Sequence, residues 1–78
     1  MIMSPCHGIV EEVSIQSQLR IYEWEALFSI KKNNGKIEIV KIGISGEVES
    51  LEVEKGDEVI PGMVLAFIKE DLFVSGSD

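Results

Sequence analysis

Gly46-Glu47-Val48-Glu49-Ser50-Leu51-Glu52-Val53-Glu54-Lys55-Gly56-Asp57-Glu58-Val59 has a fainter copy of itself earlier in the chain, at a constant offset of 38 residues. Gly8 matches Gly46, Val10 matches Val48, Glu11 matches Glu49, Val13 matches Leu51 and Ile15 matches Val53. The register continues without a gap through Ile21 with Val59, Leu27 with Leu65 and Ile30 with Ile68. A chance match would drift or need insertions. Two related β-units in so short a chain must fold against each other, because neither alone buries its apolar face.

The detail of the pattern strengthens the repeat. Residues 9–15 are strand-like, but the apolar positions Val10, Val13 and Ile15 do not alternate cleanly; the pattern slips between Val10 and Val13. The second unit slips at the same place, between Val48 and Leu51. A shared slip predicts a bulge or sharp coil in both strands. In the second unit Lys55-Gly56-Asp57 reads as a turn, Glu58-Val59-Ile60 as a short strand, Pro61-Gly62 as a turn and Met63 to Ile68 as a strand. The first unit follows the same plan with poorer turn residues: Gln18 stands where Gly56 stands, and Trp24 where Gly62 stands. If the glycines take positive φ, Gln18 and Trp24 must accept a steric penalty or use another turn, and local deviation is expected there.

Ser4 to Gly8 read as an entry turn. Leu27 to Ile44 reads as a hairpin around Asn33-Asn34-Gly35, residues that tolerate left-handed backbone. No helix is favoured; the best window, residues 20–30, is aromatic and β-branched and has no cap. One domain over residues 1–70 is expected, with residues 71–78 as a frayed tail.

A chain of 78 residues buries roughly 60% of its unfolded surface, which leaves little chain for an enclosed active site. The net charge of −7 argues against nucleic acid and anionic membrane partners. Glu47, Glu49, Glu52, Glu54, Asp57 and Glu58 crowd the second unit. They read as a solvated strand face, with a docking face for a basic partner as the sharper alternative. A single cysteine, Cys6, allows no internal disulfide, no signal peptide or membrane span is visible, and a cytoplasmic setting is expected. Cys6 and His7 are too few ligands for a structural zinc site, and one histidine assembles no credible Ser/His/Asp set. No phosphate-cradling glycine loop is present. A non-enzymatic protein with no metal site is expected.

Gly46-x-Val48 followed by Val53-Glu54-Lys55-Gly56-Asp57-Glu58-Val59-Ile60-Pro61-Gly62-Met63-Val64-Leu65 resembles the C-terminal half of biotinyl and lipoyl carrier domains. Ser4-Pro5-Cys6-His7-Gly8-Ile9-Val10 resembles their opening Pro-x-x-Gly-x-Val. The resemblance covers residues 4–69 and implies an all-β fold, a flattened barrel-sandwich hybrid of two quasi-symmetric four-strand units joined by a central hairpin. In that family a lysine at the hairpin tip carries biotin or lipoate. Here the segment reads Lys31-Lys32-Asn33-Asn34-Gly35-Lys36, without the flanking methionines. Counted from Gly8 the lysine slot falls on Asn34, and counted back from Gly46 it falls on Gly35, which implies one inserted residue.

Two functions follow. The first is an unmodified domain, with no cofactor, that acts as a binding or assembly module for a protein partner; Tyr22 and Trp24 are its candidate contacts, since aromatics dominate interface energetics. The second is a covalent biotin or lipoate carrier that uses Lys36 or Lys32, the only side-chain type with the required amine, and serves a carboxylase or an acyltransferase of the 2-oxoacid dehydrogenase kind.

Overall fold

The computed structural model describes residues 1–71. They form eight strands and no helix: β1 (Ile2–Met3), β2 (Gly8–Val13), β3 (Arg20–Ile21), β4 (Phe28–Lys32), β5 (Ile37–Val40), β6 (Gly46–Leu51), β7 (Glu58–Val59) and β8 (Val64–Glu70). Two four-stranded antiparallel sheets result, in the orders β1-β8-β6-β3 and β5-β4-β2-β7. The fold is an all-β barrel-sandwich, as the repeat implies.

The 38-residue offset holds pair by pair. Val10 faces Ile30 and Val48 faces Ile68; Val13 faces Phe28 and Leu51 faces Ala66. The slip falls between Val10 and Glu12 in one sheet and between Val48 and Ser50 in the other. These are the twin bulges that the broken alternation predicts. Strand β1 was not anticipated. Ile2 pairs with Ala66 as Val40 pairs with Phe28, so the two-residue β1 is the counterpart of β5. A run of two residues carries no periodicity of its own, and only its partner strand defines it.

The halves are intertwined rather than stacked. Strand β3, from the first half, pairs with β6: Arg20 with Glu47 and Ile21 with Gly46. Strand β7, from the second half, pairs with β2: Gly8 with Val59 and Ile9 with Glu58. Beside each crossing, the long strands of one half (β2 with β4, β6 with β8) approach too closely for a side chain. A Cβ on Gly8 would meet the Lys31 carbonyl oxygen, and one on Gly46 would meet that of Lys69. Glycine is required at both.

The core lies between the sheets, and most of it consists of offset pairs: Ile2 with Val40, Val10 with Val48, Ile15 with Val53, Ile21 with Val59, Leu27 with Leu65 and Phe28 with Ala66, all buried. Each fully buried side chain of the larger kind contributes about 1.5–3 kcal/mol. Phe28 with Ala66 is the one equivalent pair of very unequal size, so the two halves fill the shared core differently there.

The expected local deviation of the first unit's turns does not occur. Gln18 N–H donates to the Val48 carbonyl (2.8 Å) as Gly56 N–H donates to that of Val10 (2.8 Å). Trp24 N–H donates to Ile42 (2.8 Å) as Gly62 N–H donates to Ser4 (2.9 Å). The backbone keeps the glycine geometry, with φ of 75° at Gln18 and 61° at Trp24 beside 96° at Gly56 and 86° at Gly62. The hydrogen bonds tie each turn to the opposite half, and they override the local penalty of about 1–2 kcal/mol for a non-glycine left-handed residue.

Gln18 is exposed, so Gln18→Gly should relieve strain at little cost in packing. It should raise stability by about 0.5–1 kcal/mol after the added unfolded-state entropy is deducted, a gain of about 4 °C in Tm. Gly46→Ala should lower stability by about 1–3 kcal/mol, because β6 and β8 must part. Thermal and urea unfolding of the two variants beside the parent measures both.

Candidate functional site

The central hairpin is built on the β4–β5 ladder, where Phe28 faces Val40 and Lys31 faces Ile37. Lys32 N–H donates to the Lys36 carbonyl (2.8 Å), and Gly35 N–H donates to that of Lys32 (2.9 Å). Asn34 Oδ1 accepts from Lys36 N–H (2.9 Å), and Gly35 has φ 84°. This is a three-residue loop closed by a left-handed glycine. Asn33, Asn34 and Gly35 form the tip, and Lys32 and Lys36 face each other at its base. Lys32 is half-buried and reaches toward Glu38, Nζ to Oε1 at 3.6 Å. Lys36 is exposed, and among the described residues no carboxylate lies in ion-pair range of it.

The tip is fastened to the body of the protein. Asn33 Nδ2–H donates to His7 Nδ1 (3.1 Å), which leaves the proton on Nε2 to donate to Glu58 Oε2 (2.8 Å). His7 thus links the hairpin to the exchanged strand β7. Cys6 is half-buried against the core and faces inward, and its packing accounts for it.

The same arrangement recurs at the other end of the molecule in different chemistry. Adding the offset of 38 to His7 and Asn33 gives Ser45 and Asp71, and subtracting it from Glu58 gives Arg20. Arg20 Nη2 donates to Asp71 Oδ2, Ser45 Oγ donates to the same oxygen (3.0 Å), and Asp71 N–H donates to the Ser45 carbonyl (3.0 Å). Each clasp binds the end of one long strand to an exchanged strand from the other half. The described chain is therefore anchored one residue into the expected tail, and residues 72–78 lie outside the described residues. Neither clasp was legible in the sequence, because the three matched positions share no residue type.

Tyr22 and Trp24 do not join the hairpin lysines. Trp24 bonds to Ile42, beyond the Phe28–Val40 end of the ladder, about 20 Å from the tip at about 3.4 Å per residue along β5. Both aromatics are exposed, Tyr22 at 62% and Trp24 at 68%. The Arg20 guanidinium lies over the Tyr22 ring, 5.9 Å from its centroid. Beside it Arg20, Glu47, Lys69, Glu70 and Asp71 line an open pocket of about 380 Å³. The structure thus presents two separate surfaces, a lysine-flanked tip at one end and an aromatic face beside a charged pocket at the other. Among the described residues no group of three His, Cys, Asp or Glu is placed to hold a metal ion. Among the described residues no helix is long and apolar enough to cross a membrane.

The Arg20 hydrogen bond and charge hold the Asp71 carboxyl below the usual carboxylate range, with Ser45 adding in the same direction, while Asp71 raises Arg20. A carboxyl depressed on folding contributes stability above its unfolded pKa, and that contribution is lost as the pH falls through the folded value. A carboxyl-carbon NMR titration should therefore find Asp71 protonating below the ordinary aspartate value of about 3.9, and Arg20→Gln should bring it back toward that value.

No family model matches the chain, and no curated protein was found to be similar to it.

Proposed function

We propose that the chain is a biotinyl/lipoyl-like domain that is left unmodified and works as a non-catalytic binding or assembly module for a protein partner in a reducing cytoplasm. The observation that carries this reading is the hairpin tip. Its three residues are Asn33, Asn34 and Gly35, and none has the nucleophilic amine that attachment requires. The tip is also held down by the Asn33–His7–Glu58 clasp, and Lys32 is drawn toward Glu38. A swinging arm needs an amine on a projecting apex, and here the amines sit at the base of the loop.

The aromatic face at the opposite end supports a binding role. A tryptophan held in a left-handed backbone conformation, in a position that its twin fills with glycine, is strained without being buried. The bond to Ile42 imposes that backbone, as the bond to Val48 does at Gln18, and the large exposed aromatic surface set there is what supports a contact role.

One observation favours a second reading, a covalent carrier of biotin or lipoate. Lys36 is exposed and unpaired among the described residues, so its amine is accessible to a ligase. The intact mass of the protein from its native host separates the two. The parent mass, in cells whose other carriers are fully modified, is the expected result. A mass increased by biotin or lipoate and mapped to Lys36 or Lys32 overturns the proposal in favour of the carrier for a carboxylase or an acyltransferase.

A further inference from the structure

We infer that the Tyr22–Trp24 face is a preformed dock for a cationic, partly apolar segment of the partner protein. This rests on the binding-module reading above and names the partner's chemistry.

The aromatic face is held rigid from several sides. Trp24 N–H is bonded to Ile42, and the turn around it closes on itself through Glu25 N–H to the Tyr22 carbonyl (3.1 Å) and Tyr22 N–H to Glu25 Oε1 (2.9 Å). The indole lies against Gly43, where an added Cβ would stand 2.7 Å from its Cζ2 atom. The ring is therefore seated on bare backbone and presents its other side outward. Little side-chain entropy remains to be lost on binding, and this favours affinity. The equivalent place in the other half has Ile60 and Gly62, so the aromatic character belongs to one end alone.

Charge decides which partner fits. Glu23 and Glu25 flank the aromatics in sequence, and Glu47, Glu70 and Asp71 line the adjoining pocket. The cations nearby are Arg20, Lys41 and Lys69. Arg20 is engaged by Asp71, Lys69 is the register partner of Glu47 on the neighbouring strand, and carboxylates outnumber the cations around the face. Five carboxylates stand against three cations, on a protein whose net charge is −7. An acidic segment would meet repulsion both locally and at long range, whereas a lysine or arginine gains the face of Trp24 and the carboxylates of Glu47 and Glu70 together. The second strand face of glutamates adds steering in the same direction.

The test uses the full chain and a fluorescein-labelled peptide of alternating lysine and leucine, with a glutamate–leucine peptide as its charge-reversed counterpart. Peptide anisotropy reports binding, and the emission of Trp24, the only tryptophan in the chain, reports its place. The expected result is binding of the lysine peptide alone, a blue shift of Trp24 emission, weakening with added salt, and a loss of about tenfold or more in affinity for Trp24→Gly. That variant has the residue of its twin position and should fold. Glu23→Lys, which changes only an exposed charge, should weaken binding independently. Equal binding of both peptides, binding of neither, or undiminished binding by both variants overturns the inference. So does a concentration-dependent shift of Trp24 emission without peptide, which would make the face a contact between two copies of the chain. A biotin or lipoate adduct in the native mass would instead overturn the binding-module reading, so the two failures are distinct.

Discussion

Everything in this fold depends on the exchange of short strands beside Gly8 and Gly46, two positions where the backbone leaves no room for a side chain. Gly8 pairs with Val59 and Gly46 with Ile21 across the halves, a Cβ at either glycine would strike a carbonyl of its own half's long strand, and each half lends a two-residue strand to the other's sheet. Because of that exchange neither half has a complete sheet of its own. A short chain gains a single shared core in this way, rather than two small ones that could not sustain themselves. The clasps at the two ends secure the same crossings from outside, one with Asn33, His7 and Glu58, the other with Asp71, Ser45 and Arg20.

Quasi-symmetry also explains where the molecule departs from symmetry. The geometry of the turns is imposed by hydrogen bonds to the opposite half, so the first half keeps a glycine conformation at Gln18 and Trp24. At Gln18 the result is strain alone. At Trp24 the same backbone presents an indole on the surface, pinned over Gly43. The hairpin tip departs in the other direction: where the resemblance places a lysine, a loop of Asn33, Asn34 and Gly35 is tied down by its own amide groups. The two ends of the protein are thereby differentiated, the tip restrained and the aromatic residues exposed.

Much of this was legible in advance. The bulges were visible as a matched break in alternation at Val10 and Val48, and the hairpin as Asn33-Asn34-Gly35 between two apolar runs. The core was visible in the offset pairs from Val10 and Val48 to Leu27 and Leu65. The clasps were not visible, because quasi-equivalent positions can do the same mechanical task with unrelated chemistry, and a comparison of residue types sees no relation between His7 and Ser45 or between Glu58 and Arg20. The exposure of Tyr22 and Trp24 was equally undecided, since an aromatic pair beside strand residues has the same pattern whether it packs inward or stands out.

The sequence by itself determined the two-fold plan, the all-β class, the bulge positions and the lack of a lysine among the three residues of the hairpin tip, since periodicity, glycine placement and side-chain identity are local properties. Only the tertiary structure decided that the halves exchange strands, that Gln18 and Trp24 hold left-handed backbone, and that Asp71 is fastened to the sheet. Each of these is set by hydrogen bonds between residues far apart in the chain, and the energy of such contacts outweighs the preference of any single residue.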